Sequence, residues 1–245
     1  MFVSPRSRPY RPLQQRAALA FLLTLLGTAS FAGFLVISET VSPLAILRSI
    51  SVPLALAGLA GPYLASHPHP VLGPANQLTL VRAGLVGGLA AFMFEADHAS
   101  SIALTAVACL AFGLDGIDGW LARRTGTASP FGAQLDMELD GLFVVVLCGL
   151  AITMTGAGPW VWAAGLARYV FVGAAAIWPF MSRPLPPTRR RPWACGLGVG
   201  LLIGGLAPVP SWLALGCVFL GVATLVGSFA IDAWWLVRHR EDGPW

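Results

Sequence analysis

Residues 115–140 read DGIDGWLARRTGTASPFGAQLDMELD and hold five of the eleven acidic residues of this 245-residue chain. Asp115 and Asp118 are three positions apart, and Asp136 and Asp140 are four positions apart. On a helix, either spacing places both side chains on one face. The segment between the two pairs contains a glycine and a proline and therefore predicts a turn. The stretch thus predicts two helices whose acidic faces meet.

The composition around this stretch excludes an ordinary soluble domain. The chain is 56% hydrophobic and only 11% charged, and its mean hydropathy is +0.75. A soluble domain carries about 25% charged residues. We therefore expect an integral membrane protein whose partners are the lipid bilayer and small molecules, with no nucleic acid among them.

Eight stretches are apolar and long enough to suggest membrane-spanning helices, although the seventh is short and rich in glycine. They cover residues 16–37, 43–65, 76–94, 100–123, 132–155, 159–180, 193–206 and 211–237. The fold class predicted is all-α, a polytopic transmembrane helix bundle with a six-helix core and two extra N-terminal helices.

A proline-rich segment, SHPHPVLGP at residues 66–74, predicts a linker after the second helix. It divides residues 1–70, a basic tail with a two-helix extension, from a six-helix domain at residues 71–245. His67 and His69 flank prolines in this linker. We interpret them as solvated loop residues rather than as metal ligands.

Arginine placement predicts the orientation in the membrane. All fifteen basic residues are arginine, and thirteen fall in segments that share one side if the N-terminus is cytoplasmic. Arg82 is counted among the thirteen, whereas Arg48 and Arg168 lie within helices. The basic start is followed by an apolar stretch without a cleavage site, so we expect this stretch to be retained. This pattern predicts an inner-membrane protein with both termini and the aspartates on the cytoplasmic side.

Four carboxylates at the edge of a membrane need positive charge. Carboxylates close together raise one another's pKa values and resist desolvation, so they must be partly protonated or neutralised by cations. Hard divalent ions such as Mg²⁺ or Mn²⁺ prefer oxygen ligands. One alternative is an ion-pair lattice with Arg82, Arg123 and Arg124. Another is a divalent-cation transporter that uses the aspartates as an ion site.

The residues between the aspartates favour a ligand-binding site. Gly119 and Gly132 place no side chain beside the acidic faces, which leaves room for a bulky ligand near the backbone. Ala122 is small for the same reason, and Arg123 at the rim suits a phosphate.

The stretch resembles the signature of the CDP-alcohol phosphatidyltransferases, D-x2-D-G-x2-A-R-x8-G-x3-D-x3-D. All eight fixed positions are filled, by Asp115, Asp118, Gly119, Ala122, Arg123, Gly132, Asp136 and Asp140. Upstream, NQLTLVR at residues 76–82 is similar to the family's N-x-L-T-x-x-R element. The resemblance covers about residues 76–240 and leaves the first two helices outside it.

This resemblance implies an enzyme that transfers a phosphatidyl or similar group from a CDP-linked lipid to an alcohol or phospho-alcohol and releases CMP. It implies two divalent ions, with Asp115, Asp118 and Asp136 as ligands and Asp140 completing the second site. Asp140 is also the candidate general base. The residues implied near the CDP part are Asn76, Thr79, Asp118, Gly119, Ala122, Arg123 and Gly132. A homodimer is also implied.

The acceptor alcohol is left open by the sequence. Many members of the family carry a basic residue after the last aspartate, whereas this chain has Gly141. Arg168, within a predicted helix, and Arg183, in a basic loop, are candidate acceptor-binding residues. The alternatives are that Arg168 pairs with Asp232 or with an aspartate of the cluster, and that the loop anchors the protein at the membrane surface.

Overall fold

The computed structural model describes residues 11–96 and 100–240, except for the side chains of Arg11, Pro12 and Asp118. The predicted basic tail at residues 1–10 lies outside the described residues. Eight α-helices and no strand are found in the described part of the chain. They are α1 (Arg11–Ile37), α2 (Leu44–Ala60), α3 (Gly73–Ala91), α4 (Ser101–Thr125), α5 (Pro130–Thr155), α6 (Trp162–Ile177), α7 (Arg190–Gly204) and α8 (Ser211–Arg238).

The all-α prediction is confirmed, and each predicted apolar stretch corresponds to one helix. Six helical segments are long and apolar enough to cross a membrane. Among the described residues, α3 and α7 do not meet that standard. The 15 residues of α7 are fewer than the roughly 20 needed to span a bilayer. In α3, Asn76, Thr79 and Arg82 are polar and buried, so this helix faces protein on much of its surface.

Large apolar side chains on these helices point outward. Phe34 is 64% exposed, Ile37 83% and Val170 67%. A water-soluble protein rarely displays an extensive apolar surface. Such a surface is stable in a bilayer, in agreement with the predicted membrane protein.

The described chain forms two compact units. The first comprises residues 11–96 and 103–146, and the second comprises residues 100–102 and 147–240. The predicted domain boundary between residues 70 and 71 stays a prediction.

In the first unit, α1, α2 and α3 pack against one another. The approach of α3 is close at Gly87, where an added Cβ would lie 2.9 Å from both Ser49 O and Thr28 Cγ2. Ser49 in turn donates a hydrogen bond from its hydroxyl to Thr28 O, at 3.2 Å. A glycine at position 87 is therefore what lets the three helices meet.

A polar clamp, formed by Ser42, Arg48 and Glu95, joins the start of α2 to the turn after α3. The Ser42 backbone N–H and hydroxyl both donate to the Glu95 carboxylate, and the hydroxyl bond measures 2.6 Å. Arg48 forms an ion pair with Glu95 and donates to Met93 O. Phe94 adopts a left-handed conformation, with φ of 68°. Because a bulky residue rarely adopts that conformation, the clamp holds the chain in an unfavourable turn.

In the second unit, α8 packs against both α6 and α7. Asp232 on α8 is 8% exposed and forms ion pairs with Arg190 and Arg191 of α7. Ser228, one turn earlier on α8, accepts a hydrogen bond from Arg190 Nη1 at 2.9 Å. This cluster anchors the start of α7, which is too short to rely on its own apolar length.

Candidate active site

Three of the four predicted aspartates come together in the first unit. Asp115 lies on α4, and Asp136 and Asp140 lie one turn apart on α5. One carboxylate oxygen from each residue lies within 4.8 Å of the other two. The three side chains are 34%, 37% and 39% exposed, so the group is partly accessible. Asp118 is on α4 one turn after Asp115, but its side chain lies outside the described residues.

Arg82 of α3 lies among these three carboxylates and is 2% exposed. Its Nη1 is 2.7 Å from Asp136 Oδ1, and its Nη2 is 2.9 Å from Asp140 Oδ1 and 2.8 Å from Asp115 Oδ1. Its Nε donates to Ala111 O at 3.2 Å. Arg82 is thus buried in the cluster and makes the contacts with the aspartates that the ion-pair alternative expected of this arginine.

The residues present fit a divalent cation. The Asp115 Oδ1 atom is buried and accepts no hydrogen bond in the described structure, although Arg82 Nη2 contacts it. One guanidinium also leaves an excess of negative charge on three carboxylates. Mg²⁺ and Mn²⁺ prefer such a group of converging oxygen ligands with a net negative charge.

A cavity of about 230 Å³ adjoins the cluster. Asp136 belongs to both, since it forms part of the cavity wall. The wall also contains six residues predicted to lie near the CDP part of the substrate, namely Asn76, Thr79, Gly119, Ala122, Arg123 and Gly132. The structure therefore brings the predicted nucleotide residues together beside the predicted metal ligands.

Gly132 has a specific packing role in this wall. A Cβ added to it would lie 2.6 Å from Asn76 Oδ1, closer than real contacts allow. Asn76 is 5% exposed and donates from Nδ2 to Leu72 O, which fixes its side chain. Gly132 thus lines the cavity and, because it has no side chain, also leaves room for Asn76.

The start of α5 is fixed by a helix cap. Ser129 precedes Pro130, the first residue of the helix, and its Oγ accepts a hydrogen bond from the Gly132 N–H at 3.0 Å. Serine before the helix and proline at its first position are the preferred arrangement. The cap sets the direction in which α5 presents Asp136 and Asp140.

The interpretation of His67 as a solvated residue was wrong. His67 is 7% exposed, and its ring lies 2.9 Å from Ser129 Oγ and 2.8 Å from Val71 O. The linker sequence gave no signal for this burial, because the partner Ser129 lies 62 residues further along the chain.

The two predicted acceptor-binding arginines lie in the second unit. Arg168 is half-buried on α6, and Arg183 follows a 3-10 turn at Pro179–Ser182. Arg183 Nη1 donates to His239 O at 2.8 Å. Their role as acceptor ligands stays a prediction.

Comparison with known proteins identifies the class. The model of the CDP-alcohol phosphatidyltransferase family matches residues 73–234, so the chain belongs to this family. It is 34% identical to the phosphatidylinositol phosphate synthase of Corynebacterium glutamicum over 157 residues, which are 64% of this chain and 67% of that protein. It is 29% identical to the CDP-diacylglycerol–glycerol-3-phosphate 3-phosphatidyltransferase of Pseudomonas fluorescens over 158 residues, 60% of this chain and 80% of that one.

No solved structure matches the chain. The family and the apolar helices together define a multi-pass membrane transferase of phospholipid biosynthesis, and the predicted enzyme class is confirmed. A cation transporter is not favoured, because the family and both relatives are phosphatidyltransferases.

Proposed function

We propose that the protein transfers a phosphatidyl group from CDP-diacylglycerol to a phosphorylated alcohol and releases CMP. The observation that carries this proposal is the position of Asp136, which links three converging carboxylates to a cavity lined by the family's signature residues. The name of one relative specifies a phosphorylated product, and that of the other specifies glycerol 3-phosphate as acceptor. Both names favour a phosphorylated acceptor over a simple alcohol such as serine.

The proposed site binds two divalent ions, Mg²⁺ or Mn²⁺, through Asp115, Asp118, Asp136 and Asp140. When bound, such ions neutralise the diphosphate of the CDP-lipid and the charge that develops on the departing CMP. The buried Arg82 contacts three of these carboxylates and holds them in position. The nucleotide is proposed to bind in the cavity, beside Asp118, among Asn76, Thr79, Gly119, Ala122, Arg123 and Gly132.

The proposed reaction is an in-line displacement. The acceptor hydroxyl oxygen bonds to the phosphorus that carries diacylglycerol, and the bond from that phosphorus to the bridging diphosphate oxygen breaks. CMP departs with the bridging oxygen, and Asp140 takes the proton of the attacking hydroxyl as general base. Arg168 and Arg183 are proposed to bind the acceptor, because arginine suits phosphate.

We further propose that the enzyme is a homodimer of the inner membrane, with both termini and the active site on the cytoplasmic side. The arginine distribution supports the orientation. A site at that surface would receive its soluble acceptor from the cytoplasm while the lipid tails stay in the bilayer.

The direct test is CMP release from CDP-diacylglycerol by purified protein, supplied in turn with glycerol 3-phosphate, inositol phosphate and serine. Asp136→Asn and Asp140→Asn should each reduce the rate at least about 100-fold, the first through loss of a metal ligand and the second through loss of the general base. Glu138→Gln is the matched control, because Glu138 lies between them on α5 and accepts a hydrogen bond from Gln134 Nε2 at 2.6 Å. Chelation should abolish activity, and Mg²⁺ or Mn²⁺ should restore it. Full activity of the Asp136→Asn and Asp140→Asn variants would refute the proposal.

A further inference from the structure

His67 connects the linker before α3 to the start of α5. It follows the 3-10 turn Gly61–Ser66 and precedes the part of the chain matched by the family, which begins at residue 73. Its Nε2 is 2.8 Å from Val71 O, and its Nδ1 is 2.9 Å from Ser129 Oγ. With only 7% of its surface exposed, His67 is a buried polar residue with both ring nitrogens engaged.

The hydrogen-bond partners determine the direction of each bond. A carbonyl oxygen can only accept, so Nε2–H donates to Val71 O. In the neutral ring Nδ1 is then an acceptor, and the Ser129 hydroxyl donates to it. The Ser129 oxygen is left to accept from the Gly132 N–H, at 3.0 Å. These three hydrogen bonds form one directed chain, which runs from Gly132 through Ser129 and His67 to Val71.

The His67 ring also packs against the first turn of α5. It lies edge-on to Phe131, with ring centroids 5.7 Å apart and an interplanar angle of 76°. Phe131 is fully buried. His67 therefore holds residues on both sides of Pro130, one by a hydrogen bond and one by an aromatic contact.

This turn of α5 forms part of the cavity wall. Ser129, Gly132 and Asp136 all line the cavity, and Gly132 packs directly against Asn76. A shift of the first turn would change the width of the cavity and move Asp136 with it. We propose that His67 is a positioning residue that fixes this turn for binding of the nucleotide end of the substrate, without itself touching substrate. This inference rests on the proposed function.

The test uses CDP with Mg²⁺, titrated into the purified full-length chain, together with kcat and KM for CDP-diacylglycerol. In the His67→Ala variant, the Kd for CDP and the KM for the CDP-lipid should rise about tenfold, the effect expected for loss of a hydrogen bond and its packing. The KM for the acceptor should change less than about twofold, because the other end of the site is untouched. His69→Ala is the control, since His69 lies in the same linker and its ring is 5.4 Å from that of His67.

Two conservative variants separate the hydrogen bonds. In His67→Asn the amide oxygen takes the place of Nδ1 and accepts from Ser129, so most of the affinity for CDP should return. In His67→Gln the amide nitrogen replaces Nε2 and donates only to Val71 O, so the affinity for CDP should stay low. Ser129→Ala should also weaken CDP binding, and the loss in the double variant should be smaller than the sum of the two single losses, because both changes break one chain of hydrogen bonds.

Thermal unfolding in detergent checks that each variant folds. If His67→Ala does not fold, the inference is tested by comparing the Kd for CDP of His67→Asn with that of His67→Gln. A lowered melting temperature with an unchanged Kd for CDP and unchanged KM would overturn the inference and leave only a structural role. If the wild-type chain binds CDP and Asp136→Asn abolishes activity, an unchanged Kd and KM in His67→Ala would refute only the role of His67 and leave the proposed function standing. A wild-type chain that binds no CDP would overturn both the inference and the proposed function.

Discussion

Arg82 shows how one residue changes the electrostatics of the site. A guanidinium that is 2% exposed and contacts three carboxylates compensates part of their charge, whatever else the site binds. Loss of the guanidinium leaves these charges uncompensated, and because the carboxylates are partly exposed the cost should lie below the about 3–5 kcal/mol typical of a fully buried pair. Arg82 is therefore needed for the fold as well as for the arrangement of the aspartates.

We predict that Arg82→Gln lowers the melting temperature in detergent and reduces CMP release at least tenfold, an effect worth about 1.4 kcal/mol or more. Added Mg²⁺ should stabilise Arg82→Gln more than the wild type, because the three carboxylates then lack their other cation. Arg124→Gln is the control, since that arginine stacks on Trp120, 4.9 Å from the ring centre. A variant at position 82 with wild-type stability and activity would contradict this assignment.

Gly132→Ala should weaken nucleotide binding. The new methyl group would lie 2.6 Å from Asn76 Oδ1, so either Asn76 or the first turn of α5 must move. Overpacking of this kind costs about 1–3 kcal/mol. The measurement is the Kd for CDP by calorimetry, with Gly113→Ala as control because an added Cβ there meets nothing within 4 Å. Equal affinities in the two variants would show that Asn76 yields without consequence.

At the scale of helices, the polar clamp of Ser42, Arg48 and Glu95 ties α2 to the end of α3. Burial acts to raise the pKa of Glu95, but the hydrogen bonds from Ser42 and the interaction with Arg48 together hold this pKa below its ordinary value of 4.5. Because folding lowers the pKa, the clamp stabilises the protein fully above pH 4.5. That contribution disappears as the pH falls through the lowered value.

Glu95→Gln should therefore lower the melting temperature at pH 7, by an amount that corresponds to about 1 kcal/mol for this partly exposed group. The difference in melting temperature should shrink as the pH is lowered below 4.5, where the unfolded chain binds the proton first, and should disappear once the pH has passed the lowered pKa of the folded state. Glu39→Gln, in the neighbouring exposed turn, should have little effect at either pH. A difference in melting temperature between Glu95→Gln and the wild type that stays constant down to pH 3 would argue against a stabilising role of the charged Glu95 in the clamp.

The helices themselves could be predicted from apolar length, but their ends could not. The predicted third segment begins at residue 76, whereas α3 begins at Gly73, because Pro74 suits the first turn of a helix. It was expected to continue to residue 94, whereas α3 ends at Ala91 and Phe94 adopts a left-handed conformation. Ends depend on local turns and on the clamp, which apolar periodicity does not encode.

The aspartates of the site could be predicted because their spacing is local to two helices. The contact of Arg82 with them was only one of the alternatives, because Arg82 is 54 residues from Asp136. The contact of His67 could not be predicted, since Ser129 lies 62 residues further along the chain. Arg82 did carry a signal, as a charged residue inside an apolar helix is usually functional. His67 carried none, because a histidine between prolines in a linker looks the same whether buried or solvated.

At the scale of the whole molecule, the proposed orientation in the membrane can be measured. In a chain whose four cysteines are replaced, Thr188→Cys in the basic loop should react with a membrane-impermeant maleimide only when the cytoplasmic face is accessible. Ser38→Cys, in the exposed turn after α1, should react from the opposite face of intact spheroplasts. Labelling of both positions from the same side would overturn the proposed topology.

The contact between Gly132 and Asn76 also constrains how this enzyme can evolve. A Cβ at position 132 would lie 2.6 Å from Asn76 Oδ1, so a larger residue at position 132 is expected to be harmful unless position 76 changes as well. The two positions are expected to vary together or not at all across related sequences. An effort to alter nucleotide preference would therefore have to begin elsewhere in the wall, at Ala122 or Thr79, or change both members of the pair at once.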